Sequence, residues 1–118
     1  MMTLLYTSDP ERGRTWRDVF AAEAADIGFV DPTDPHDPAT IRYLAAWNPS
    51  VELIATLPAL EILFSIGAGI DQFDMSRLPP HVRVVRMIEP GIAQGMVEYA
   101  TMAVLALHRN LIDHGIAQ

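Results

Sequence analysis

Cysteine and lysine are both absent from this chain of 118 residues. The first absence excludes disulfides, a thiolate nucleophile and any cysteine-based zinc site. It also suits a reducing, cytoplasmic setting, which is the expected location. The second absence leaves eight basic residues, all arginine, and a net charge of -7. An acidic chain with no basic stripe argues against nucleic acid or an anionic membrane as partner. The one arginine group, Arg12, Arg14 and Arg17, alternates with Asp9, Glu11 and Asp18 and reads as a solvated helix face. Long hydrophobic runs are lacking too. Tyr99 to Leu107 carries no charge, but Glu98 and Arg109 bracket it, well short of the roughly 20 apolar residues that span a bilayer. The opening "MMTLLYTSDPERG" turns charged too soon for a secretory leader, so none is expected.

What is present is apolar: half of the residues. That is enough for a real core, with an excess that suggests a surface covered by another domain or subunit. "TLLYT" (Thr3 to Thr7) reads as a buried strand closed by Ser8-Asp9-Pro10, and helical spacing runs from about Arg14 to Asp26. "IGFV" is a short second strand. In the loop "DPTDPHDP", the residues Asp34, His36 and Asp37 are better explained by proline-enforced turns than by a metal. "IRYLAAW" is short, aromatic and stopped by Asn48-Pro49, which favours a strand over a helix. A short helix is expected over Val51 to Leu57, a strand in "LEILFSI", a helix over Asp71 to Leu78, a fifth strand in "VRVVRMI", and a long helix over about Ala93 to Ile112.

Strands alternating with helices imply a doubly wound, parallel five-stranded sheet, in which ligands gather beyond the carboxyl ends of the strands. Four segments fall at such ends: Ser8-Asp9, Trp47-Asn48, Gly67 to Gly69, and Glu89 to Gly95.

The third of these, in "EILFSIGAGIDQFD", invites a dinucleotide reading, since a strand breaking on Gly-x-Gly before a helix is the usual fingerprint. Gly67 and Gly69 supply two glycines, but Gln72 stands where the third belongs, and only about one strand–helix–strand unit follows. The same physics suits a smaller anion. Successive backbone N–H groups in a glycine turn make an anion-binding concavity, so Ala68 and Gly69 are candidate donors to a carboxylate. A tight turn with no ligand is the plainer alternative.

The stretch "LEILFSIGAGIDQFD", preceded by "YLAAWNPS" and followed by "RMIEPGIAQGMVEYATMAVLALHRN", resembles the D-isomer-specific 2-hydroxyacid dehydrogenases, especially the glyoxylate/hydroxypyruvate reductase A subgroup. The resemblance covers nearly the whole chain and is best from Tyr43 to Asn110. It implies a flavodoxin-like substrate domain interrupted by a Rossmann cofactor domain, with NADPH or NADH reducing a small 2-oxo acid. On that basis residues 1–92 are the first portion of the substrate domain. Residues 93–118 are the helix, and the start of the linker, that lead to a cofactor domain outside this sequence. The family's catalytic Arg, Glu and His lie in later parts of its chain, so no catalytic residue is assigned here. The four histidines, His36, His81, His108 and His114, match none of them, and Glu89 and Glu98 are expected to cap or support helices. Carried over by position, Ala68 and Gly69 bind the substrate carboxylate, Gly67 shapes their turn, and Trp47 walls the pocket or packs in the core. Met96 lies where the family brings side chains toward the nicotinamide. The chain alone is expected to bind no cofactor or metal and to be inactive, and a homodimer is expected, with Met96 to Leu107 packed on a partner or second domain.

Other classes share the outline. A signalling receiver fails for want of a lysine and of an aspartate after the third strand. A flavin site is spoiled by the charges and Pro10 in "TSDPERGRT". A non-catalytic binding or dimerisation module is the remaining alternative, supported by the apolar helix.

Overall fold

β1 (Thr3–Thr7) is buried on both faces, which only a central strand of a covered sheet achieves. In the computed structural model, which describes residues 1–117, it lies between β2 (Gly28–Val30) and β3 (Ile41–Ala46). β4 (Ile62–Ser65) and β5 (Arg83–Val85) extend the sheet in the order β2-β1-β3-β4-β5, with every pairing parallel. This is the flavodoxin-like doubly wound order, and its direction reverses between β1 and β3. The strands end in step: Thr7 is level with Ala46, and Ala46 with Ser65. The segments after β1, β3 and β4 therefore share one edge, as the sequence suggested.

Side-chain alternation divides the core in two. Leu5, Leu44, Ala46 and Leu63 face one side, where Ile54 and Leu57 cover them. Leu4, Tyr6 and Ala45 face the other, under Trp16 and Phe20. Ile41 joins the first side because the β1–β3 register slips between Thr3 and Leu4, leaving Arg42 as an extra residue. Arg42 pairs with the carboxylate of Glu61 there.

α1 (Pro10–Glu23) begins four residues before the expected Arg14, because Asp9 caps it, accepting from the Arg12 N–H at 2.7 Å, and Pro10 takes the first position, where no N–H is needed. Gly13 lets the helix lie on Tyr6: a Cβ there would sit 2.9 Å from the ring's Cε1. α2 (Val51–Ala55) is capped by Ser50.

Other expectations fail. No regular helix forms over Asp71 to Leu78; turns lead into a single 3-10 turn at Met75–Arg77. Asp74 uses its carboxylate on the N–H and hydroxyl of Ser76, and the Gln72 side chain folds back on the loop before it. Both are local bonds that compete with a helix. Arg17 is not merely a solvated helix charge. It bonds Asp31 at 3.0 Å and Asp34 at 2.6 Å, and lies 5.3 Å from the centre of the Phe29 ring.

The chain divides into two compact units, Met1–Met87 and a second that begins at Ile88. The second holds α3 (Pro90–His108) and α4 (Leu111–Ala117) rather than one helix from Ala93 to Ile112. Glu89 caps α3 by accepting from the N–H groups of Gly91 and Ile92, with Pro90 at the first position, so the helix starts earlier. It stops at Asn110, whose φ of 51° is left-handed and closes the helix. No residue of α3 is buried, although Val97, Met102, Leu105 and Leu107 are among its side chains.

Candidate functional site

The carboxyl edge of the sheet brings together two of the segments singled out in the sequence, Trp47 and Gly67 to Gly69. Trp47 follows β3 directly, is 54% exposed, and belongs to neither core cluster. Its indole stands against the turn after β4. A Cβ placed on Gly67 would lie 2.2 Å from the indole Cζ3, closer than any contact that carbon atoms tolerate. Gly67 is thus required by its neighbour and not by its backbone angles, since no described glycine has a left-handed φ. The turn consequently presents its amides in an ordinary bend, without the alternating handedness of a typical nest.

Gly69 differs. Its φ is also ordinary, and a Cβ there would meet nothing within 4 Å. Among the described residues, no backbone or side-chain acceptor takes the N–H of Ala68 or of Gly69, and both residues are exposed. Two free amides on an exposed bend at a strand's carboxyl end can accept an anion.

Two carbonyls of the turn, those of Gly67 and Gly69, are held by hydrogen bonds. The Ser65 hydroxyl, on a side chain of a residue only 3% exposed, lies 2.9 Å from the carbonyl oxygens of both Gly67 and Gly69. The Gln72 carboxamide donates to the Ser65 oxygen and to the Gly69 carbonyl, each at 3.3 Å. The Met87 N–H reaches the Gly67 carbonyl at 3.3 Å. Sequence reasoning noticed Gln72 only as a misfit in a glycine fingerprint, and did not consider Ser65. Beside this turn a cleft of about 250 Å³ opens between Asn48, Ser50 and Ile54 on one wall and Gln72, Phe73 and Leu78 on the other.

The other candidates are placed as follows. Met96 lies in the second turn of α3, in the second unit, and is 62% exposed. In the proline-rich loop, Asp34 accepts from the Asp31 N–H and from Arg17, and Asp37 from the Ala39 N–H. His36 contacts the Asp34 carbonyl, so turn bonds occupy this loop. No group of three potential metal ligands occurs among the described residues. The Asp34 carboxyl is held below its ordinary value, first by the Asp31 N–H and then by Arg17. Asp31 is lowered mainly by the Thr33 hydroxyl and N–H. No described helix is long and apolar enough to cross a membrane.

No family model matches the chain. Among curated proteins it is similar to the glyoxylate/hydroxypyruvate reductase A of Escherichia fergusonii, 35% identical over 85 residues. It is similar also to that of Serratia proteamaculans, 32% identical over 90 residues. These matches take in 67% and 71% of this chain but only 26% and 29% of the relatives, so the chain spans less than a third of their length. Among solved structures, a D-isomer-specific 2-hydroxyacid dehydrogenase from Xanthobacter autotrophicus Py2, in complex with NADPH and MES, superposes with a TM-score of 0.71. It is 27% identical, over 89% of this chain and 35% of that one. A probable 2-hydroxyacid dehydrogenase from Rhizobium etli CFN 42, in complex with NADP, HEPES and L(+)-tartaric acid, gives 0.69 at 27% identity, over 89% of this chain and 34% of that one. Sequence and fold agree on one answer: the chain belongs to the D-isomer-specific 2-hydroxyacid dehydrogenase family.

Proposed function

We propose that this chain is the N-terminal, substrate-binding portion of an NAD(P)H-dependent reductase of small 2-oxo acids, of the glyoxylate or hydroxypyruvate type. In this reading residues 1–92 belong to the substrate domain and residues 93–118 lead toward a cofactor domain. The observation that carries it is the pair of unpartnered amides, Ala68 and Gly69, on the exposed turn after β4. A substrate carboxylate accepts from both, which fixes the 2-oxo acid at its charged end and leaves the keto carbon free to face a nicotinamide. Gly67 permits the turn to close on Trp47, and the indole forms one wall beside the carboxylate. Gly69 leaves room for the substrate to approach the backbone.

The residues present supply binding and orientation. The hydride is supplied by NADPH or NADH when bound, with Met96 a candidate for contact with the nicotinamide. The chain itself holds no group assigned to proton delivery or to polarisation of the keto oxygen, so it does not turn over alone. The parent enzyme works in the cytoplasm as a homodimer, and the exposed apolar side of α3, from Met96 to Leu107, supports such packing.

The test is a 1H–15N titration of the labelled chain with glyoxylate. Saturable shifts at the Ala68 and Gly69 amides are expected; unchanged resonances across the turn would refute the reading. NADPH oxidation with glyoxylate should stay at the buffer rate.

A further inference from the structure

The turn's carbonyls and amides are not independent. Every peptide bond here is trans, so the carbonyl of Gly67 and the N–H of Ala68 point in opposite directions within one rigid plane. The same holds for the carbonyl of Gly69 and the N–H of Ile70. Whatever holds those two carbonyls inward therefore aims those two amides outward, and it confines the peptide of Gly69 that joins them. Ser65 and Gln72 are the side chains that hold them.

Proton counting shows why both are needed. The Ser65 hydroxyl has one proton and two carbonyls at the same 2.9 Å. The Gln72 carboxamide has two N–H bonds, one directed at the Gly69 carbonyl and one at the Ser65 oxygen. With Gln72 donating to Gly69, the Ser65 proton is free for Gly67, and each carbonyl has its own donor. Without Gln72, the Ser65 proton turned to Gly69 leaves Gly67 with only the Met87 N–H at 3.3 Å, and turned to Gly67 it leaves Gly69 with no described donor, so the turn has two alternative states.

Resting on the carboxylate reading above, we propose that Ser65 and Gln72 are positioning residues that pre-aim the amides of Ala68, Gly69 and Ile70 at the substrate carboxylate. Neither touches the substrate. Their contribution is to remove the cost of ordering the turn at the moment of binding. The structure adds the Ile70 N–H as a third donor on the outward side, since no described acceptor takes it.

The experiment is the glyoxylate titration repeated on the full chain carrying Ser65→Ala, Ser65→Thr or Gln72→Leu, with dissociation constants read from the Ala68, Gly69 and Ile70 amides. Losing one strut in this network should weaken binding by about tenfold for Ser65→Ala and by about fivefold for Gln72→Leu. Ser65→Thr, which keeps the hydroxyl, should return to within about threefold of the parent. Rescue by threonine separates positioning from mere packing. Should Ser65→Ala fail to fold, shown by collapse of spectral dispersion, Gln72→Leu decides, because Gln72 is partly exposed and outside the core clusters. Undiminished affinity in Gln72→Leu, and in Ser65→Ala if folded, overturns the positioning inference and leaves the carboxylate site standing. Absence of binding in the parent chain overturns both.

Discussion

Gly67 and Trp47 are fitted to each other: the place a side chain would take on Gly67 is already occupied by the edge of the Trp47 indole. This ties the end of β3 to the turn after β4 across neighbouring strands. It predicts that Gly67→Ala displaces the indole and lowers stability by about 1–2 kcal/mol. Much of that cost should vanish in the Trp47→Ala background, giving a coupling of about 1 kcal/mol in a double-mutant cycle. Urea unfolding measures it; additive costs would mean the indole does not rest on Gly67. In a Trp16→Phe background, Trp47 fluorescence should shift in Gly67→Ala.

Gly69 makes the opposite prediction. With ordinary backbone angles and open space around its missing Cβ, Gly69→Ala should leave stability unchanged or raise it by about 0.5 kcal/mol. Gly69→Val, tolerated less well but still folded, should block the approach of a carboxylate and abolish the amide shifts caused by glyoxylate. Full binding by the valine variant would show that the ligand does not approach this residue.

The acid behaviour of the proline-rich loop follows from the Thr33 hydroxyl and N–H on Asp31, and from the Asp31 N–H and then Arg17 on Asp34. Asp31 and Asp34 both have lowered carboxyl pKa values. Their contribution is therefore complete above the ordinary value of 3.8 and is lost as pH falls through the depressed values. A carbon-13 carboxyl titration should find both below that value. In Arg17→Ala, Asp34 should move upward more than Asp31, whose main partner is Thr33. Thr33→Val should reverse that order.

The apolar side of α3 predicts self-association. Sedimentation of the chain should depend on concentration, and Leu105→Glu, which places a charge amid exposed Val97, Met102 and Leu111 without touching any buried residue, should shift it to monomer. A parent chain that sediments as a monomer at every concentration would remove this helix as a self-association surface.

How much of this the sequence discloses depends on the range of the forces involved. β1 is legible end to end because a strand covered on both faces reads as a largely apolar, β-prone run, as "TLLYT" does. β5 is only three residues long where seven were expected, since an edge strand is paired on one side only. The cap at Glu89 was anticipated in kind, yet the helix was expected to begin only at about Ala93, when Pro90-Gly91 already belongs to its first turn. Gln72 looked like a flaw in a phosphate loop, and only the folded turn brings it back to Ser65. Arg17 looked like one charge among several until the fold set Asp31, Asp34 and Phe29 around it. Periodicity and capping are short-range and leave marks in the sequence; a side chain crossing a turn or a sheet edge leaves almost none.

The central claim is that the Ala68 and Gly69 amides recognise a carboxylate. Parallel 1H–15N titrations of the chain with glyoxylate and with glycolaldehyde, which has the same two-carbon frame but no carboxylate, test it most directly. Saturable shifts at Ala68 and Gly69 with glyoxylate, and none with glycolaldehyde, are the predicted result. Equal responses to both compounds, or responses confined to residues away from the turn, would contradict it.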